Sequence, residues 1–376
     1  MIFLLTWNPF SIALPEHLQL SFRIGPRDAL ANVLLFLPVG FLFRLGQGSP
    51  RGAIVLGAAI SAGIEAGQFF IPARTPSVVD VTMNTLGSGI GAGLYDLLTA
   101  RIAMTPRMVG RPALEVPLMG LIYLLVPLLW VNRLVPDQGL NRWLLTILIG
   151  LCGAIVLSDV FQQWWGPVSL RSLWRVALVA GAWFLVGTGQ SLLSQPLDGL
   201  VSLAGIAILT ALLAAILKPY TNRRFERVTL RRLIPGFILY LVFQALWPPL
   251  QPVGVWHGSF GLMDPLARED IRVNIRLIEH LAAFTILGYI AAEWHGRAEL
   301  SWRRDFPQLL LVGMVSALAL EVLVGFQAGP GASFLRLLIA TGGALFGGIL
   351  YHLQRDHVRF LLGRSTTQAV LSTHPK

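Results

Sequence analysis

Charge is scarce in this chain. Only 13% of its 376 residues are Asp, Glu, Lys or Arg, about half the share found in soluble domains. With 55% hydrophobic residues and a mean hydropathy of +0.66, that shortage excludes a cytosolic enzyme and a nucleic-acid reader. Cysteine is scarcer still: Cys152 is the only one. It lies in an apolar stretch, so an internal disulfide and a stapled secreted domain are excluded. Also missing are a phosphate-cradling glycine loop, a nucleophile elbow, an HExxH helix and a Cys/His cluster. Nothing therefore calls for a metal or a cofactor. The start, MIFLLTWNPF, has no basic n-region and no small-residue cleavage site, so no cleaved signal peptide is expected.

Long apolar runs fill the space that charge leaves. A membrane-crossing helix needs roughly 17 to 25 mostly apolar residues, and about eleven runs qualify. They are Ala29–Leu45, Gly52–Ile71, Val78–Leu98, Val116–Leu134, Trp143–Val160 and Leu173–Leu193, then Leu197–Leu217, Leu233–Trp247, Ile275–Ala292, Phe306–Phe326 and Ser333–Leu353. The runs are continuous rather than alternating, which selects helices over a barrel. The expected fold is an all-α polytopic transmembrane bundle.

The net charge of +10 follows from loop asymmetry. Alternate loops, beginning with Arg44/Arg51 and ending with the C-terminal tail, carry 20 of the 29 basic residues. Basic loops stay on the cytoplasmic side, so the C-terminus is expected inside, in a multi-pass protein of the bacterial inner membrane. The loops at Asn8–Asp28, Pro72–Ser77, Pro248–Asn274 and Gln327–Ala332 then face outward. With eleven spans the chain start lies outside, unless Met1–Trp7 ends a further helix. The densest basic loop, Lys218–Arg232, holds six basic residues and would also attract anionic lipid headgroups.

The chain repeats itself. A shift of 256 positions aligns SAGIEAGQFFIPARTPSVVDVTMNTLGSGIGAGLY with ALALEVLVGFQAGPGASFLRLLIATGGALFGGILY, without a gap. Glu65 meets Glu321, Gly87 meets Gly343, Gly91 meets Gly347 and Tyr95 meets Tyr351. Upstream, at a shift of 248, NVLLFLPVG meets HLAAFTILG. Equivalent helices are eight spans apart, so the copies should run parallel. The expected organisation is repeat one in residues 1–100, a four-helix segment in 116–217, a degenerate repeat two in 233–353 and a cytoplasmic tail in 354–376. Gly87/Gly91, Gly89/Gly93 and Gly343/Gly347 have the spacing that permits close helix contact.

Ionisable residues inside membrane spans are costly and mark functional sites by default. Asp28 and Asn32 share one side of the first helix; Ser61, Glu65 and Gln68 share a face of the second. Asp80, Asn84, Gly87 and Gly91 form a stripe on the third, Arg74 lies in the loop before it, and Pro38 should kink the first helix. Carboxylates, amides and one guanidinium thus converge on an outward pocket. In repeat two the corresponding candidates are His280, with Glu279 as its sequence neighbour, Glu321 and Arg336.

These residues resemble the VanZ-like family of bacterial membrane proteins. The pattern is Asp28 and Asn32 before Phe36-x-Pro38-x-Gly40, then Glu65-x-x-Gln68, Arg74, and Asp80-x-x-x-Asn84-x-x-Gly87. Repeat two resembles the family's degenerate form, His280-x-x-x-Phe284-x-x-x-Gly288: it keeps Glu321, while Pro330, Arg336 and Ala340 replace Arg74, Asp80 and Asn84. The resemblance implies a cell-envelope role linked to glycopeptide (teicoplanin) resistance.

Several functions are compatible with this pattern. Asp28, Asn32, Glu65, Gln68, Arg74, Asp80 and Asn84 can bind a polar or anionic headgroup, of a membrane lipid or a lipid-linked envelope precursor, with Arg74 as a bidentate fork. Glu65 or Asp80 can instead serve as general base of an intramembrane enzyme, with Arg74 as clamp. A lipid or small-solute transporter is a third reading. A purely structural network is a fourth, in which Glu321 pairs with Arg336.

Overall fold

The structure, a computed structural model, describes residues 20–22, 25–71, 75–100, 112–134, 139–164, 170–192, 197–217, 225–246, 254–259, 271–296, 300–328 and 331–372. Eleven helices lie among them: α1 (Pro26–Leu45), α2 (Pro50–Gln68), α3 (Val78–Ala100), α4 (Pro112–Leu134), α5 (Leu140–Trp164), α6 (Leu170–Leu192), α7 (Leu197–Ile216), α8 (Phe225–Leu246), α9 (Ile271–His295), α10 (Trp302–Val324) and α11 (Phe334–Ser372). Two-residue strands β1 (Gly258–Ser259) and β2 (Ala332–Ser333) pair in parallel.

Each of the eleven apolar runs falls on a helix. Eight of the helices are long and apolar enough to cross a membrane, and α4 adds a shorter apolar stretch, Leu118–Leu134. α2 and α3 fall short because Gly, Ala and Ser fill them; small residues lower hydropathy but let backbones approach. α11 continues to Ser372, well past Leu353, so much of the expected tail is helical.

The chain divides into two compact units. The first holds Met1–Ala113 and Leu353–Lys376; the second holds Leu114–Leu266 and Asp270–His352. In the first, α3 packs chiefly on α1 and then on α2. Helix starts are encoded locally. Pro26 begins α1 after Gly25, and Ser49 caps α2 by accepting the Gly52 N–H at 3.0 Å; Pro opens both helices, where its missing N–H is harmless.

The α1–α3 seam is set by glycine. A methyl group at Gly40 would collide with the Ser88 carbonyl, and one at Gly91 with the Leu37 carbonyl. Gly87 faces Val33 in the same way, whereas Gly93 has nothing within 4 Å and Gly89 only Ile54 at 3.6 Å. Gly89/Gly93 therefore is not a close-contact ladder, contrary to its spacing, because it lies off the face of α3 that meets α1.

In the second unit α5 is the most enclosed helix. Cys152, Ala154 and Val156 on it are fully buried, beside Leu118, Leu121 and Leu128 of α4 and Phe237 and Tyr240 of α8. Leu178 and Val186 of α6, Val201 and Ile208 of α7, and Leu311 and Leu318 of α10 are exposed, as expected of lipid-facing positions.

Candidate functional site

Ser77 organises the polar residues of the first unit. It precedes α3, and its hydroxyl accepts the Asp80 N–H at 3.2 Å. The serine thus caps the start of α3. The Ser77 backbone N–H donates to Glu65 Oε2 at 2.7 Å, so the carboxylate at the end of α2 ties down the start of α3. The segment at Ser21 joins here: its N–H donates to the Pro76 carbonyl at 2.8 Å and its carbonyl accepts the Val78 N–H at 3.3 Å.

α1 completes the cluster. The Asn32 amide and the Asp28 carboxylate both lie close enough to act on the Asp80 carboxylate. Glu65 and Asp80 also feel one another's charge. One turn further along α3, Asn84 Nδ2 donates to Ser61 Oγ at 2.8 Å. Both side chains are buried, and Asn84 Oδ1 has no partner among the described residues. Glu65 and Gln68 are each only 8% exposed; Asp28 is exposed and Asp80 partly so. Among the described residues, no Lys, Arg or His forms an ion pair with Asp28, Glu65 or Asp80. Arg74 lies outside the described residues. Asp28, Asn32, Glu65, Asp80 and Asn84 thus stand around one end of α1–α3.

The aligned positions of the second unit make the same backbone contacts. The Ser333 N–H donates to Glu321 Oε2 at 2.7 Å, and Ser333 Oγ accepts the Arg336 N–H at 3.2 Å. β1 lies beside Ser333 as the Ser21 segment lies beside Ser77. A methyl on Gly288 would meet the Ala344 carbonyl, and one on Gly347 the Thr285 carbonyl; these pairs match Gly40 with Ser88 and Gly91 with Leu37. Tyr351 sits edge-on to Tyr289 at 5.5 Å, as Tyr95 does to Phe41 at 5.7 Å.

The side-chain chemistry differs. Where the first unit has Asp80, the second has Arg336. Its Nε donates to Glu321 Oε1, and its Nη2 donates to Glu321 Oε2 at 2.6 Å and to the Gly331 carbonyl at 3.0 Å. The Asn84–Ser61 pair is replaced by buried Ala340 and Ala317. This carboxylate is answered from within the chain.

Glu279 is not the partner of His280. Neighbours on a helix point about 100° apart, and Glu279 turns instead into the interior, where Arg142 Nη1 donates to its two oxygens at 2.7 and 2.8 Å. Tyr240 donates to Glu279 Oε1 at 3.2 Å, Asn132 Oδ1 accepts from Arg142 at 3.2 Å, and Asn132 Nδ2 donates to Thr146 at 2.8 Å. His280 is partly exposed and feels the charges of Arg336, Arg142 and Arg276. Sequence reading missed the Arg142 network, because Arg142 immediately precedes an apolar run and counts as a loop charge. Asp159 of α5 is likewise paired, accepting from Thr229 at 2.8 Å and Arg232 at 3.0 Å.

Among the described residues no three His, Cys, Asp or Glu side chains stand close enough to hold a metal ion. No curated protein and no solved structure matches the chain. Residues 3–99 match the model of the VanZ/LLP1 family, the stretch that carries Asp28, Asn32, Glu65, Asp80 and Asn84. The N-terminal part of this all-helical, multi-pass membrane chain is thus VanZ-like.

Proposed function

We propose that the VanZ-like unit binds the polar headgroup of an envelope lipid or lipid-linked precursor at the outer face of the bacterial inner membrane. One observation carries this reading. Glu65 is buried and Asp80 partly buried, the two stand close enough to repel one another, and neither meets a cation among the described residues. Such groups are expensive at membrane depth and are retained where they serve a ligand or a pathway. Glu65 Oε1, the Asp80 carboxylate and Asn84 Oδ1 offer hydrogen-bond acceptors, and Arg74, in the loop before α3, supplies a fork for an anionic group.

The outward orientation rests on the basic-residue asymmetry of the loops, which places the α2–α3 turn outside and the chain end in the cytoplasm. Capture of envelope precursors there would alter glycopeptide susceptibility by changing what reaches the cell wall. Native mass spectra of detergent-purified protein test the reading. The wild type should carry a defined envelope lipid that the Asp80→Asn/Arg74→Lys variant loses. The same lipid profile in both would overturn it.

A further inference from the structure

The second unit holds an internal answer to the question of what the first unit binds. The two glutamates are held alike: Oε2 of each accepts a serine N–H at 2.7 Å. In the second unit the remaining acceptor, Glu321 Oε1, takes an N–H of the Arg336 guanidinium. In the first unit Glu65 Oε1 has no donor among the described residues, and position 80 adds a second carboxylate rather than a cation. Asn84 Oδ1, on a side chain 97% buried by its 3% exposure, likewise lacks a donor among the described residues.

We infer that the first unit's site takes a primary ammonium group, presented by the headgroup of a lipid, in the place that the Arg336 guanidinium fills in the second unit. This deepens the headgroup reading above and rests on it. Three features select the ammonium. The open atoms are acceptors, and an ammonium brings three N–H donors and no acceptor. The site holds three carboxylates, Asp28, Glu65 and Asp80, and no cation among the described residues pairs with any of them. Hydroxyl donors would satisfy the hydrogen bonds but leave desolvated charge uncompensated. A quaternary ammonium would compensate charge but bring no N–H.

The test uses the full-length detergent-purified protein and three lipids with identical acyl chains: phosphatidylethanolamine, phosphatidylcholine and phosphatidylglycerol. Native mass spectrometry should show phosphatidylethanolamine retained about tenfold or more over the other two, as a charge-assisted hydrogen bond implies. Asp80→Arg, which installs the second unit's arginine, should abolish that retention while the thermal midpoint holds or rises. Asp80→Asn, a milder change, should lose the selectivity and remain folded. Competition by free ethanolamine would identify the amine alone as sufficient; competition only by the lipid would identify the lipid as the source. Equal retention of phosphatidylethanolamine and phosphatidylglycerol, lost together in Asp80→Asn, would overturn the ammonium assignment and leave the headgroup reading standing. No selective retention, and no change in either variant, would overturn both.

Discussion

Glu279→Leu should be among the most damaging single substitutions in the second unit. Its carboxylate is 1% exposed as a side chain, and Arg142, at 6%, donates to both its oxygens. Truncation leaves the guanidinium with the Asn132 Oδ1 contact at 3.2 Å and leaves the Tyr240 hydroxyl without its acceptor. Stranding one member of a buried pair costs about 3–5 kcal/mol, whereas replacing both by apolar residues is often neutral. Arg142→Met should therefore be harmful alone, and the double variant Arg142→Met/Glu279→Leu should recover most of the loss. The assay is a double-mutant cycle on the thermal midpoint of the purified protein in one detergent. Additive losses in the double variant would refute the reasoning, because they would mean that each residue stabilises the fold through other contacts.

Three further outcomes follow from the packing and the charge pattern. Gly91→Ala should destabilise by about 1–3 kcal/mol, since its methyl must push α3 off the Leu37 carbonyl of α1; Gly93→Ala, in open space, should gain up to about 1 kcal/mol of helix propensity. Paired thermal melts check both signs. Cys152, fully buried, should resist maleimide in the folded protein and react after denaturation in sodium dodecyl sulfate. A cysteine appended after Lys376 should label only once cells are opened; labelling on intact spheroplasts would reverse the proposed orientation.

Much of the architecture is legible in the sequence because it is written locally. Apolar runs set the helices, and their ends are fixed by short-range chemistry such as the Ser49 hydroxyl on the Gly52 N–H. The polar face shared by Glu65 and Asp80 follows from helical spacing plus the short turn between α2 and α3. Other features depend on distant partners. Arg142 finds Glu279 137 positions away, and no local pattern separates an arginine that turns inward from one that ends a span. Gly89/Gly93 has the spacing of a packing ladder, but only the placement of α1 decides which glycine face is used. The end of α11 was obscured for another reason: charged residues after Tyr351 end the apolar run, yet Gln354, Arg355 and their neighbours favour helix, so the helix outlasts the span.

One contrast is decisive: the first unit's carboxylates meet no cation among the described residues, whereas Glu321 of the second is neutralised by Arg336. A cryo-electron microscopy map of the protein in nanodiscs of native envelope lipid tests it most directly. The account predicts non-protein density against Glu65 and Asp80, with the Glu321–Arg336 pair closed on itself. Glu65 and Asp80 fully engaged by protein side chains, with no density beside them, would contradict it.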